Sequence, residues 1–282
     1  MSSNAFQFNK DVIYAVRTSQ PITKCGLTLY PITMRDYDDF ILCKDALAIM
    51  QSSLPAAYLA MDFLSALFAY ALDEINSPEN KQQSSEKTAA FQRVLRLLYL
   101  SLRCDCKIEN ISDDIVYANK NGRVVIDHIK IHQTEETVEL TPSMFSGIIR
   151  PIIAYQNGIE LPNELDNPDL IKEYKKYQKE DDSVKLKVNT DDLIASVAYQ
   201  SHISEAEIIE SWTVRQFEYR VRAIERDKRY TLCGSAEMSG FASFKNGNPH
   251  PSWCYDAETD LPGSTSLSAI GNKLGGAGVK AK

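Results

Sequence analysis

Residues 115–126 read Ile115-Val116-Tyr117-Ala118-Asn119-Lys120-Asn121-Gly122-Arg123-Val124-Val125-Ile126. Two β-prone runs flank Asn121-Gly122, and both turn residues tolerate positive φ, so the stretch predicts a tight antiparallel hairpin. The residues upstream keep a different period. Phe91, Val94, Leu95, Leu98 and Leu102 fall on one face of a helix. Helices and short antiparallel strands in one chain predict an α+β fold. The expected architecture is a mixed N-terminal domain with buried helices, followed by a C-terminal helical module.

Further upstream, Asp11-Val12-Ile13-Tyr14-Ala15-Val16 and Leu27 to Ile32 are rich in β-branched and aromatic residues and predict strands. Thr33, with Asp36 three residues on, predicts an N-cap for a helix through Tyr37, Phe40, Ile41, Leu47 and Met50. The run through Tyr58, Phe63, Leu67 and Tyr70 predicts a second helix that is apolar on most sides and therefore buried. Pro55, Asp62 and Ser65 interrupt it, so it does not read as a membrane span.

Downstream, Val138-Glu139-Leu140 predicts a short strand. Thr141-Pro142 predicts a capped helix start with proline at the first position, and Asn157-Gly158 the stop. Leu161-Pro162 and Asn167-Pro168 mark a boundary. The predicted domains are an N-terminal α+β domain over 1–163, a charged helix and linker over 164–189, a helical module over 190–256 and a disordered tail over 257–282. Thr190-Asp191-Asp192 starts a helix, and Ser204/Glu207 and Thr213/Gln216 form capping boxes. The second box opens a long helix from Val214 to about Met238, stopped by Gly240.

The chain has 282 residues, with 31 Lys+Arg against 38 Asp+Glu and a formal net charge of -7. That balance excludes a generally basic, nucleic-acid-coating surface, while leaving room for one local basic face. The polar opening from Met1 to Lys10 predicts no signal peptide, and the six cysteines are expected to be free thiols.

Signs of catalysis are sparse. Cys104-Asp105-Cys106 lacks the spacing of a zinc knuckle, and Cys233, His250 and Cys254 are no better placed. His128 and His132 sit four apart in an alternating stretch, which puts both on the solvent face of a strand. No glutamate stands between them in the metalloprotease position. Phosphate-loop, dinucleotide-loop and serine-elbow motifs are all missing from the sequence, and no enzyme activity or cofactor is expected.

The long helix carries the most information. Phe217, Val221 and Ile224 define an expected buried stripe. Arg215, Arg222, Arg226 and Arg229 recur at helical spacing and form a separate basic stripe. From Thr213 to Tyr230 six basic residues (Arg215, Arg220, Arg222, Arg226, Lys228, Arg229) oppose three acidic ones (Glu218, Glu225, Asp227), a balance of 6 − 3 = +3. The stripe suits a solvated face or a protein-docking face better than a nucleic-acid groove. Asn248-Pro249-His250-Pro251-Ser252-Trp253 reads as an extended segment able to latch onto a partner or to fold back on its own domain.

Three stretches resemble a family of tail and baseplate assembly proteins of tailed phages from Gram-positive hosts. Leu29-Tyr30-Pro31-Ile32-Thr33-Met34-Arg35-Asp36-Tyr37-Asp38-Asp39-Phe40 resembles the family's strand ending in Tyr-Pro, with its Asp-Tyr-x-x-Phe helix start. Ile148 to Gly158 is similar to its middle segment. The region from Asp192 to Trp253 is similar to its end, with Trp212-Thr213-x-x-Gln216-Phe217, a long basic helix, Ala236 to Gly240, and Lys245-x-Gly247-Asn248-Pro249. The resemblance implies a non-enzymatic, chaperone-like factor in the host cytoplasm that binds phage tail or baseplate proteins. The alternatives are a structural component of the virion and a nucleic-acid-binding protein using Arg215 to Arg229. Neither a membrane nor a small molecule is implied as a partner. Trp212, Phe217, Met238, Gly240, Asn248, Pro249 and Trp253 carry over as candidate contact positions, beside the four arginines of the stripe.

Overall fold

The computed structural model describes residues 9–76, 88–103, 114–120, 122–133, 137–162, 189–240, 250 and 252–254. The predicted helix and linker over 164–188, the tail over 257–282, Cys104, Cys106, Asn248 and Pro249 lie outside the described residues.

The fold is α+β, with two small antiparallel sheets among the helices. It opens with helix α1 (Lys10–Arg17), where a strand was expected. Asn9 caps it, its side chain accepting the Val12 N–H at 2.9 Å, and Asp11 sits in the first turn. Val12 and Val16, four apart, bury on one face, so packing and the cap override the β propensity of the run. Strands β1 (Ile22–Lys24) and β2 (Leu27–Leu29) then pair antiparallel around Cys25-Gly26.

Thr33 does not cap a helix through its side chain. It precedes a 3₁₀ turn (Met34–Asp36), and helix α2 runs from Tyr37 to Leu47, leaving Met50 beyond its end. Helix α3 (Phe63–Asn76) is buried over most of its circumference, as its composition predicts. Helix α4 (Thr88–Leu102) packs against both α2 and α3 and buries Phe91, Val94, Leu95, Leu98 and Leu102.

The hairpin forms as read. Strands β3 (Ile115–Lys120) and β4 (Arg123–His132) pair with Lys120 opposite Arg123, and Gly122 has φ +78. A bulge at Val116/Tyr117 shifts the register. Strand β5 (Thr137–Leu140) completes the three-stranded sheet, in the order β3-β4-β5.

Helix α5 is composite: a turn at Pro142–Met144, a π-helical segment at Phe145–Ile149 and an α-helical segment at Arg150–Asn157. The wide turn has a local cause. Pro151 has no N–H to give, and its ring would crowd the carbonyl of residue 147 in a regular α-helix. Thr141 caps the start, and Gly158 closes the end in the left-handed region at φ +74.

Helices α6 (Thr190–Ser201) and α7 (Glu205–Ser211) lead into α8 (Val214–Met238). The Thr213/Gln216 box is complete, and at Ser204/Glu207 the N-cap half is present. Ser204 accepts the Glu207 N–H, while Thr213 and Gln216 exchange backbone and side-chain bonds at 2.9 and 3.3 Å.

The chain forms two compact units, Met1–Pro162 with Thr190–Tyr219, and Asn163–Asn189 with Arg220–Lys282. This grouping differs from the sequence division at 163 and 190. The reason lies in the segment 28–34, whose backbone groups are satisfied by distant parts of the first unit. Thr28 bonds the Gln133 side chain through both its N–H (2.7 Å) and its carbonyl (2.6 Å). Tyr30 donates to the Ser101 carbonyl, and the Leu29 carbonyl accepts from Gln156. The Ile32 N–H goes to Asn157. The Ile32 carbonyl then accepts from Val214, and the Met34 N–H donates to the Trp212 carbonyl, around an isolated bridge between Thr33 and Thr213.

Candidate docking surface

The Thr33–Thr213 bridge anchors the first turns of α8 in the first unit. Val214 and Phe217 there are fully buried. Phe217 meets the Tyr37 ring edge-on, with centroids 5.4 Å apart. Its selection as a contact position is therefore corrected: it is a core residue, inaccessible to a partner. Desolvation raises the Tyr37 hydroxyl to about 12, with the nearby Glu218 and Asp38 charges adding to the shift. Glu218 is itself held by Lys44 of α2 at 3.0 Å.

Arg215 is also drawn inward. It donates to the Tyr155 carbonyl and to the Tyr219 hydroxyl (3.1 Å), and its guanidinium lies over both rings at 5.0 and 4.6 Å. A Cβ at Gly158 would meet Arg215 Cγ at an ordinary 3.7 Å, so the left-handed φ of +74, and not lack of space, is what favours glycine there. Trp212 is half-buried and gives its carbonyl to Met34. So the side chains of Arg215 and Phe217 are tied into the fold, and Trp212 joins it through its backbone carbonyl.

The three stretches that carried the family resemblance converge here. Tyr37 meets Phe217, Ile32 meets Asn157, and Tyr155 meets Arg215.

The second part of α8, from Arg220, lies in the second unit and has a different surface. Arg222 and Arg229 are exposed and Arg226 is half-buried. Arg229 pairs with Glu225 at 2.6 Å across one helical turn, and Arg226 reaches the Cys254 carbonyl at 3.4 Å. Val221 and Ile224 are only half-buried, so the expected buried stripe ends at Phe217. Leu232 is 72 % exposed and Met238 is 92 % exposed. Gly240 ends the helix at φ +69, and Trp253, in the segment beyond, is 63 % exposed. Sequence reading missed Leu232. Helical spacing places it on a face but does not show whether anything lies opposite that face.

The first unit also holds a cleft of about 750 Å³, a size common among ligand pockets. Asp62, Ser65, Arg123, Asp127, Thr141 and Ser143 contribute its polar lining. Arg123 is committed to the Ala57 carbonyl at 3.2 Å and lies over the Tyr58 ring.

Among the described residues, no group of His, Cys, Asp and Glu is arranged to hold a metal ion. His132 is exposed and His128 half-buried, both on the outer face of β4, and His128 Nδ1 lies 3.0 Å from Asp127. The described cysteines Cys25, Cys43, Cys233 and Cys254 are free. No described helix is long and apolar enough to cross a membrane. No family model, curated protein or solved structure matches the chain.

Proposed function

We propose that this chain is a non-enzymatic assembly factor of a tailed phage, acting in the host cytoplasm by binding a tail or baseplate protein. Three spaced sequence stretches resemble such proteins, and they supply the phage context. The observation that carries the binding role is the change of character along α8. Its first turns bury Val214 and Phe217, while its last turns leave Leu232 and Met238 open to solvent. A stable helix that ends in large exposed apolar side chains suits a partner that covers them. Trp253, also exposed, adds a third apolar contact.

A permanent place in the virion is the rival reading. The two are separated by quantifying the protein in purified particles and in infected cells. An assembly factor is abundant in cells during tail formation and absent from finished particles. Fixed stoichiometry in particles overturns the chaperone role.

A further inference from the structure

We propose that the cleft of the first unit binds a small neutral sugar. Its lining holds polar groups that the fold leaves unused. Ser65 is 6 % exposed and lines the cleft, and its hydroxyl has no partner among the described residues. A helical serine often returns its hydroxyl to the carbonyl four residues back. Here that carbonyl belongs to Met61 and is taken by the Gln51 side-chain amide. The unpartnered hydroxyls of Ser101 and Ser201 are sealed from solvent, whereas that of Ser65 keeps an opening to the cleft. A hydroxyl so buried is costly unless something enters the cleft to pair with it. Asp62 is a second unused group. It directly precedes α3, and its carbonyl accepts the Ala66 N–H at 2.8 Å, which makes it the N-cap residue. Its carboxylate nonetheless caps no N–H and meets no cation among the described residues. The Ser143 hydroxyl, also on the lining, is likewise unpartnered.

The charges on the lining select the class of ligand. Arg123 would draw an anion, but Asp62 and Asp127 stand against one, and a cation in turn meets Arg123. A hydroxyl both donates and accepts. A sugar can therefore give its protons to the two carboxylates and accept from Ser65 and from the guanidinium. Arg123 has donors to spare, since one of its nitrogens holds the Ala57 carbonyl and the rest of the fork is uncommitted. Asp127 is oriented by the His128 ring nitrogen at 3.0 Å. Met61, Val125 and Pro142 add apolar surface that suits the C–H face of a sugar ring. The inference concerns the first unit alone and is independent of the client-binding role of Leu232, Met238 and Trp253.

The test is saturation-transfer NMR on the purified full chain. The probes are glucose, galactose, N-acetylglucosamine, lactose and cellobiose at millimolar concentration, with glucose phosphate, glucosamine and glycine as charged controls. At least one neutral sugar should bind, and the charged controls should bind more weakly or not at all. Ser65→Ala and Asp62→Asn should each weaken that sugar by about tenfold, the effect of losing one hydrogen bond to the ligand. Ser143→Trp, at an exposed position on the lining, should block the cleft and abolish binding. Ser65→Ala removes a hydroxyl that the fold does not use, so its melting temperature should match that of wild type and its loss of binding should report the site. Binding of none of the neutral sugars, tighter binding of any charged control, or equal binding by wild type and the three variants overturns the proposal.

Discussion

Asn157 accepts the Ile32 N–H through its side-chain oxygen at 2.8 Å and donates its amide to the Ile153 carbonyl at 2.9 Å. Both bonds are buried, and the Asn157 residue has no exposed surface. One side chain thus joins the last turn of α5 to the segment after β2. Asn157→Ala should leave the Ile32 N–H unpaired in the interior, at a cost of about 1–3 kcal/mol. Urea unfolding of the two proteins measures the difference, with an unchanged slope expected.

Arg150 lies with its guanidinium 3.6 Å from the Phe63 ring centroid and donates to the carbonyls of Leu47 (3.0 and 2.9 Å) and Ile49 (3.1 Å). It therefore caps the C-terminal end of α2 with a positive charge, where the helix dipole favours one. Arg150→Ala removes these donors from buried carbonyls and should destabilise the first unit by about 2–4 kcal/mol. Arg150→Lys retains the charge but loses the planar fork and should recover part of that loss. Calorimetric melting of both variants checks the order.

The two buried tyrosines predict an alkaline limit. Burial raises Tyr37 to about 12. Burial also raises Tyr58 to about 12, with help from its 2.6 Å hydrogen bond to Asp73. A phenol raised above its unfolded value near 10 contributes stability in full below that value. The contribution falls as pH rises from about 10 towards about 12, where the folded state too must ionise. Each tyrosine accounts for up to about 2–3 kcal/mol of this loss. Tyr37→Phe should flatten the decline in unfolding free energy above pH 10 while leaving the neutral-pH value little changed. A decline of unaltered steepness counts against the assignment.

Phe217 separates a core position from a docking position. Phe217→Ala removes a fully buried ring and should cost about 3–5 kcal/mol in thermal or urea unfolding. Leu232→Ala, on the exposed half of the same helix, should change stability by less than about 0.5 kcal/mol. Equal costs at the two positions would contradict the division of α8 into an anchored part and a presented part.

The local chemistry of the chain was legible in its residues. Asn121-Gly122 marked the hairpin, and Thr141-Pro142, Ser204/Glu207 and Thr213/Gln216 marked helix starts. Gly158 and Gly240 marked stops. Each is a short-range signal with its own backbone reason. The failures lay where a distant contact or a neighbouring cap decided. Residues 11–16 have the composition of a strand, yet Asn9 and the Val12–Val16 spacing make a helix of them. Thr33 has a capping residue's chemistry, yet it lies opposite Thr213, 180 positions away, in a bridge whose hydrogen bonds are made by its neighbours Ile32 and Met34. Nor could the sequence show that Phe217 closes on Tyr37 while Leu232 is left uncovered. Helical spacing gives the face a residue occupies, and only the fold decides what lies opposite it.

The central claim is that the far end of α8 binds a tail or baseplate protein. Its most direct test is co-purification from infected cells with the wild-type chain and with Leu232→Glu/Met238→Glu, each tagged and checked for native circular dichroism. The account predicts that wild type brings down one phage tail or baseplate protein in a fixed ratio and that the folded double variant does not. Recovery of no such protein with wild type, or equal recovery with the variant, would contradict it.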